Sequence, residues 1–154
     1  MSWKNDRIGA AHRGENPMVL ARMKSGFAVI GDTQFLEGYC VLLPYEEVNT
    51  LNDLPFQQRS DYLLDMSLIG DAIQAVCQPR RINYSIYGNT DAFLHAHIFP
   101  RYDWEPEERK PYPVWQYSPD MWRNSQYQYR DETHLELKGK LIKQLQKVMT
   151  GAYE

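Results

Sequence analysis

Cysteine is scarce in this chain. Its 154 residues hold two, Cys40 and Cys77, in apolar runs and without CxxC spacing. That excludes a disulfide scaffold or a zinc ribbon and fits two buried free thiols in a reducing, cytoplasmic setting. No apolar run reaches the length of a membrane span. The leader, MSWKNDRIGAAHRGENP, has no apolar core and does not read as a secretory signal. A large excess of one charge is missing as well. The formal net charge of −3 gives no reason to expect nucleic acid or an acidic membrane as a partner. There is no internal repeat. What remains, 43% hydrophobic and 24% charged residues, describes one soluble globular domain over 1–154.

Histidine is also rare, and its placement is the most informative feature. Two of the four histidines, His95 and His97, stand two apart in the run LHAHIFPR. In a strand, residues two apart share a face, so the run reads as a buried strand aiming two imidazoles into one place. Pro100 is expected to end it. An isolated HxH pair has bland readings: half a metal site, or two core histidines bonded to backbone carbonyls. The surroundings favour chemistry. Gly88-Asn89-Thr90 is a turn signal whose backbone N–H groups and side chains can donate to a phosphate. Asn83 precedes it and Arg101 follows. A nitrogen nucleophile, amide and hydroxyl donors and a guanidinium suit phosphoryl chemistry. Arg101 has two readings, facing a substrate's outer phosphates or pairing with Asp103 or Glu105. With no Cys or carboxylate ligand nearby, the pair makes a poor closed zinc site.

The rest of the chain gives a coarse architecture. Residues 1–16 read as a loose leader. Residues 18–23 read as a short strand or turn, 27–30 as a strand, 31–34 as a turn and 38–43 as a central strand. Residues 56–77 carry Leu63, Leu64, Met66, Leu68, Ile69, Ala72, Ile73 and Val76 at helical spacing, with Pro55 at the start and Pro79 at the close. Residues 81–87 and 94–100 read as antiparallel neighbours. Residues 103–129 are too proline-rich for a long helix and too aromatic for disorder. They are expected to form an ordered arm packed on the body or on a partner subunit, with at least one tryptophan near the HxH pair. A last helix follows over about 131–149. The fold class is α+β: an antiparallel sheet of about five strands, one long helix on a face, and a C-terminal helix.

Residues 95–101, HAHIFPR, resemble the histidine triad motif, His-φ-His-φ-His-φ-φ with its frequent Pro-Arg ending. Phe93 stands where the first histidine usually is. Asn83, Gly88-Asn89 and Thr90 fall near the family's phosphate- or ribose-contacting positions, with a spacing to His95 about one residue short of the commonest branch. Residues 27–44 resemble the hairpin that walls the family's nucleoside pocket. The resemblance spans about 17–104. It implies a nucleotide hydrolase or nucleotidyl transferase, with His95 as nucleophile and His97 as a donor to a phosphate oxygen. Asn89 and Thr90 would donate to the α-phosphate, with Asn83 nearby. Asp32 would accept from the ribose hydroxyls, its bland reading being a turn aspartate. Phe27, Ile30, Leu36 and Leu42 would line the base pocket, or be ordinary core. No cofactor is implied, and magnesium riding on the substrate phosphates is compatible. The expected partners are a small-molecule nucleotide and a second copy in a two-fold dimer. The Pro-Arg ending and the lack of a second domain favour a diadenosine-polyphosphate substrate over phosphoramidates or sugar nucleotides. A weak nucleotide-binding module and a metal-binding structural domain are the alternatives.

Overall fold

A computed structural model describes residues 2–154. Five strands form one antiparallel sheet: β1 (Val19–Arg22), β2 (Gly26–Ile30), β3 (Cys40–Pro44), β4 (Arg81–Ile86) and β5 (Ala96–Arg101). Their order is β1-β2-β3-β5-β4, so β3 is central and β1 and β4 are edges. The helices are α1 (Arg7–His12), α2 (Phe56–Cys77), α3 (Pro119–Arg123) and α4 (Asp131–Ala152). Among the described residues no helix is long and apolar enough to cross a membrane.

Register divides the sheet into two faces. Leu42 pairs with Ala96, Cys40 with Ile98, and Tyr84 with Ile98. This set faces α2, where the Tyr84 ring lies against Gly70. Tyr62, Ile69, Ala72 and Ile73 of α2 are fully buried there. The other face carries Val29, Val41, His97 and Ser85 in one row, with Phe99 and Asn83 in the next. One face therefore holds the apolar core and the other the candidate chemistry.

Four expectations need correction. The leader is not loose. Asp6 caps α1 by accepting from the Gly9 N–H, and Ile8, Ala10 and Ala11 are buried. Leu63 and Leu64 are not in the core; they are 46% and 45% exposed. Helical spacing marks a stripe, but the stripe on α2 is wider than the sheet it covers. Pro100 does not end its strand, because β5 continues to Arg101 and Pro100 pairs with Ile82 of β4. The last β3–β5 pair is Cys40 with Ile98, so the missing N–H of Pro100 points where no ladder bond is required. Finally, β5 starts at Ala96, one residue after His95.

Buried Asp65 of α2 is satisfied by three donors. It accepts from the Ser25 N–H at 2.8 Å, the Ser25 hydroxyl at 2.6 Å and the Tyr153 hydroxyl at 2.5 Å. The node ties the β1–β2 turn and the end of α4 to the core helix.

The arm over 103–129 is ordered as expected, with short helical turns at Val114–Gln116 and Ser125–Tyr127 around α3. Phe35, Leu36, Tyr39, Phe99, Val114 and Tyr117 form a second apolar cluster beneath it. The Trp115 and Trp122 rings stack at 4.9 Å, and Trp115 meets His97 edge-on at 5.0 Å. Aromatic area replaces regular secondary structure as the means of attachment.

Candidate functional site

His95 sits where the chain enters β5. Its Nδ1 is 2.8 Å from the Phe93 carbonyl oxygen. A carbonyl only accepts, so Nδ1 carries the proton and Nε2 presents a lone pair. The Phe93 ring lies 4.9 Å from the His95 ring, and His95 lies 4.9 Å from His97. All three share one side of the chain.

His97 is held differently. Its Nδ1 is 2.7 Å from the Tyr39 hydroxyl. Burial and the neighbouring His95 lower its pKa to about 4, so it is neutral near pH 7. Burial pushes the Tyr39 phenol well above its usual range, so it keeps its proton. Both groups are neutral, and the phenol is the stronger acid and the imidazole nitrogen the stronger base, so Tyr39 donates to Nδ1. That leaves the His97 proton on Nε2, as a donor. The two histidines thus have opposite tautomers: a lone pair on His95 Nε2 and an N–H on His97 Nε2. Tyr39 stacks on Phe99 at 4.0 Å, and a side chain at Gly31 would strike its ring, at 2.2 Å. Gly31 is the residue that lets the tyrosine in.

Two cavities meet at the histidines. The first, of about 300 Å3, has Val29, Val41 and Leu43 as an apolar wall and Tyr39 and Trp122 beside them. Arg7, Asp32, Thr33 and Gln128 form its polar end. The second, of about 470 Å3, is lined by the loop Gly88, Asn89, Thr90 and Asp91 with Tyr87 and Trp115. Asp91, His95 and His97 line both. Gly88 has φ +72° and faces the Phe93 carbonyl, so a turn residue free of a side chain is required there.

The structure brings His95, His97, Asn89 and Thr90 together. Asp32 joins them at the far end of the first cavity, but its two carboxylate oxygens accept from Arg7 at 3.1 and 2.7 Å. Asn83 and Arg101 do not join. Arg101 is 6% exposed. Its Nε and Nη2 donate to Glu105, and its remaining N–H groups donate to Asn83 Oδ1, the Tyr112 carbonyl and the Arg109 carbonyl. All five donors are used. Of the two readings of Arg101, the geometry realises pairing with Glu105. Burial would raise the Glu105 carboxyl, but bonds from Arg101, Tyr117 and the Tyr102 N–H outweigh it and hold the group low.

Of the four residues expected at the base pocket, Ile30 lines the first cavity and the other three do not. Leu42 is on the α2 face, Leu36 lies under the arm, and Phe27 packs edge-on to Tyr45 and His12. Val29, Val41 and Leu43 line that cavity, because strand parity puts them on the histidine face. Sequence reasoning missed Tyr39, Arg7, Thr33, Asp91 and Gln128. Among the described residues no three His, Cys, Asp or Glu side chains gather as a metal site.

An antiparallel five-stranded sheet with a long helix on one face is the fold this chain shares with solved histidine triad proteins. No protein-family model matches the sequence, and no curated protein matches it. Solved structures do. The chain is similar to a histidine triad protein from Marinobacter aquaeolei VT8, at 21% identity and TM-score 0.69, over 84% of this chain and 89% of that one. It is similar to a hypothetical histidine triad nucleotide-binding protein from Sulfolobus tokodaii strain7, at 12% identity and TM-score 0.68, over 92% and 91%. It is also similar to the diadenosine triphosphate hydrolase of Plasmodium falciparum, at 15% identity and TM-score 0.60, over 84% and 77%. The likeness is one of fold.

Proposed function

We propose that the protein is a nucleotide hydrolase that works through a covalent nucleotidyl-histidine. The observation that carries this reading is the His95 tautomer. With Nδ1–H spent on the Phe93 carbonyl, Nε2 is a free lone pair at the junction of an apolar-walled cavity and a donor-rich loop. The nucleoside fills the first cavity, its base against Val29, Val41 and Leu43 and its ribose toward Asp32. The α-phosphate lies between His97 Nε2–H and the Asn89-Thr90 loop. His95 Nε2 attacks phosphorus, a P–N bond forms, and the P–O bond to the leaving group breaks. Water then attacks the same phosphorus: a P–O bond forms, the P–N bond breaks, His95 regains its lone pair, and the water's proton passes to solvent. His97 stays neutral and donates to the phosphoryl oxygen as charge builds. No resident metal is needed for these steps; any magnesium arrives on the substrate's phosphates.

The substrate class we favour is a diadenosine polyphosphate, the class named for the Plasmodium neighbour. Its leaving group is a good one at neutral pH and needs little help from an acid. That matters because Phe93 cannot move a proton. The same ring favours a second reading, a nucleotide-binding module with slow chemistry. We also propose that two copies pair as a two-fold dimer that extends the sheet across an open edge.

His95→Ala is the test. Turnover of the best diadenosine polyphosphate is expected to fall by about three orders of magnitude, with AMP binding retained. Mass spectrometry of wild type caught during turnover is expected to show an adenylylated histidine. A variant that turns over at near wild-type rate would refute the covalent route. AMP stabilisation without turnover by either protein would select the binding module.

A further inference from the structure

A third cavity, of about 620 Å3, adjoins the histidine site and has no role in the scheme above. Tyr87 and Trp115 line both it and the loop cavity, and their rings meet edge-on at 5.5 Å as a shared lip. Its floor is the same sheet face that carries His97. Ser85 pairs with His97, Asn83 with Phe99, and Arg81 with Arg101. Its outer wall is the arm, through Lys110 and Trp115.

The charge of this cavity has one sign. Arg80, Arg81, Arg101 and Lys110 line it, and among the described residues no aspartate or glutamate does. Arg101 is neutralised by buried Glu105. Arg80 and Lys110 have only solvent-facing partners, Asp103 at 3.7 Å and Glu107 at 3.0 Å. Such pairs are weak and exchange readily for a better anion. Arg81 is exposed. From Ser85, beside His97, to Arg81 is four residues of strand, roughly 13 Å at about 3.3 Å per residue. One phosphate at the histidines cannot touch Arg81. A chain of several phosphoryl groups passing the Tyr87–Trp115 lip can.

We propose that this cavity is a subsite for an extended polyphosphate, gripped by Arg81 and Lys110 and walled by the arm. Two sources share that chemistry: the tail of a nucleotide whose α-phosphate is at His95, or a free inorganic polyphosphate. The first rests on the function proposed above; the anion site itself does not.

Calorimetry on the full chain, wild type and Arg81→Ala/Lys110→Ala, separates these. The probes are AMP, inorganic tripolyphosphate and adenosine 5′-tetraphosphate. Circular dichroism melts establish that the variant folds, and Arg81→Gln/Lys110→Gln serves if it does not. Wild type is expected to bind tripolyphosphate, and to bind adenosine tetraphosphate at least about tenfold more tightly than AMP. The variant is expected to lose about tenfold or more for both polyphosphates and nothing for AMP, with the loss shrinking as salt is raised. If AMP fails to bind, the nucleotide reading falls, while tripolyphosphate still decides the subsite. Adenosine tetraphosphate no tighter than tripolyphosphate assigns the cavity to a free polyphosphate. Tripolyphosphate that does not bind, or that binds both proteins equally, overturns the proposal.

Discussion

Replacing Tyr39 by phenylalanine removes one oxygen and tests the electronic arrangement of the site directly. Tyr39 is 7% exposed, and its hydroxyl is 2.7 Å from His97 Nδ1. A neutral hydrogen bond contributes about 1 kcal/mol, and leaving a buried acceptor without a partner costs about 1–3 kcal/mol. The Tyr39→Phe protein is therefore expected to lose about 1–3 kcal/mol of unfolding free energy in urea. The donor also holds the neutral imidazole in its Nε2–H form. Without it the tautomers mix, and the His97 pKa rises from about 4 by up to about one unit, since about 1.4 kcal/mol corresponds to one unit. Nitrogen-15 NMR of labelled histidine reads both quantities, with His97→Gln supplying the assignment. A purely structural role for Tyr39 would move stability alone. Wild type with its proton on His97 Nδ1, or a variant unchanged in tautomer and pKa, would refute the assignment of the two histidine roles.

The remaining predictions concern the arm and pH. Arg101→Met leaves buried Glu105 without its partner, and such a loss costs about 3–5 kcal/mol. Urea unfolding should show it, and limited proteolysis should cut within 103–129 faster than in wild type. Intact resistance there would mean that the aromatic cluster alone holds the arm. The second follows from the low pKa of His97. The unfolded chain binds this proton below about 6.5 and the folded chain only below about 4. The contribution is thus whole above pH 6.5 and is lost as pH falls to 4, at most about 3 kcal/mol. His97→Gln should flatten the urea midpoint over that window, and an unchanged slope would mean that other groups set it.

Local patterning made much of this molecule legible. Helix α2 was readable to its ends because Pro55 and Pro79 bracket a 3.6-residue period. Strands β2 to β5 were readable from β-branched and aromatic runs between turn residues. The HxH pair and its glycine turn were readable because a strand's two-residue period is rigid. What was hidden depends on partners far along the chain. Tyr39 stands in an apolar run, and its role comes from a histidine 58 residues later. Helix α1, at six residues, is too short to show a period, and it is held by buried Ile8, Ala10 and Ala11 and by the pairing of Arg7 with Asp32. The exposure of Leu63 and Leu64 depends on how far the sheet extends beneath α2, which periodicity does not encode. The continuation of β5 through Pro100 depends on where β3 stops pairing, a property of the sheet and not of the residue. Glu105, four residues from Arg101, was a visible candidate. The Arg109 and Tyr112 carbonyls were not, because every residue has one.

That last point bears on how the arm can change over generations. Arg101 grips residues 109 and 112 by main-chain oxygens, which any amino acid would supply. The clasp is blind to the side chains it holds. Apart from Lys110, residues 106–113 are then free to drift in identity while keeping their place, whereas Arg101 and Glu105 are not. The outer wall of the site is thereby a surface on which new side chains can be tried without rebuilding the mount beneath them.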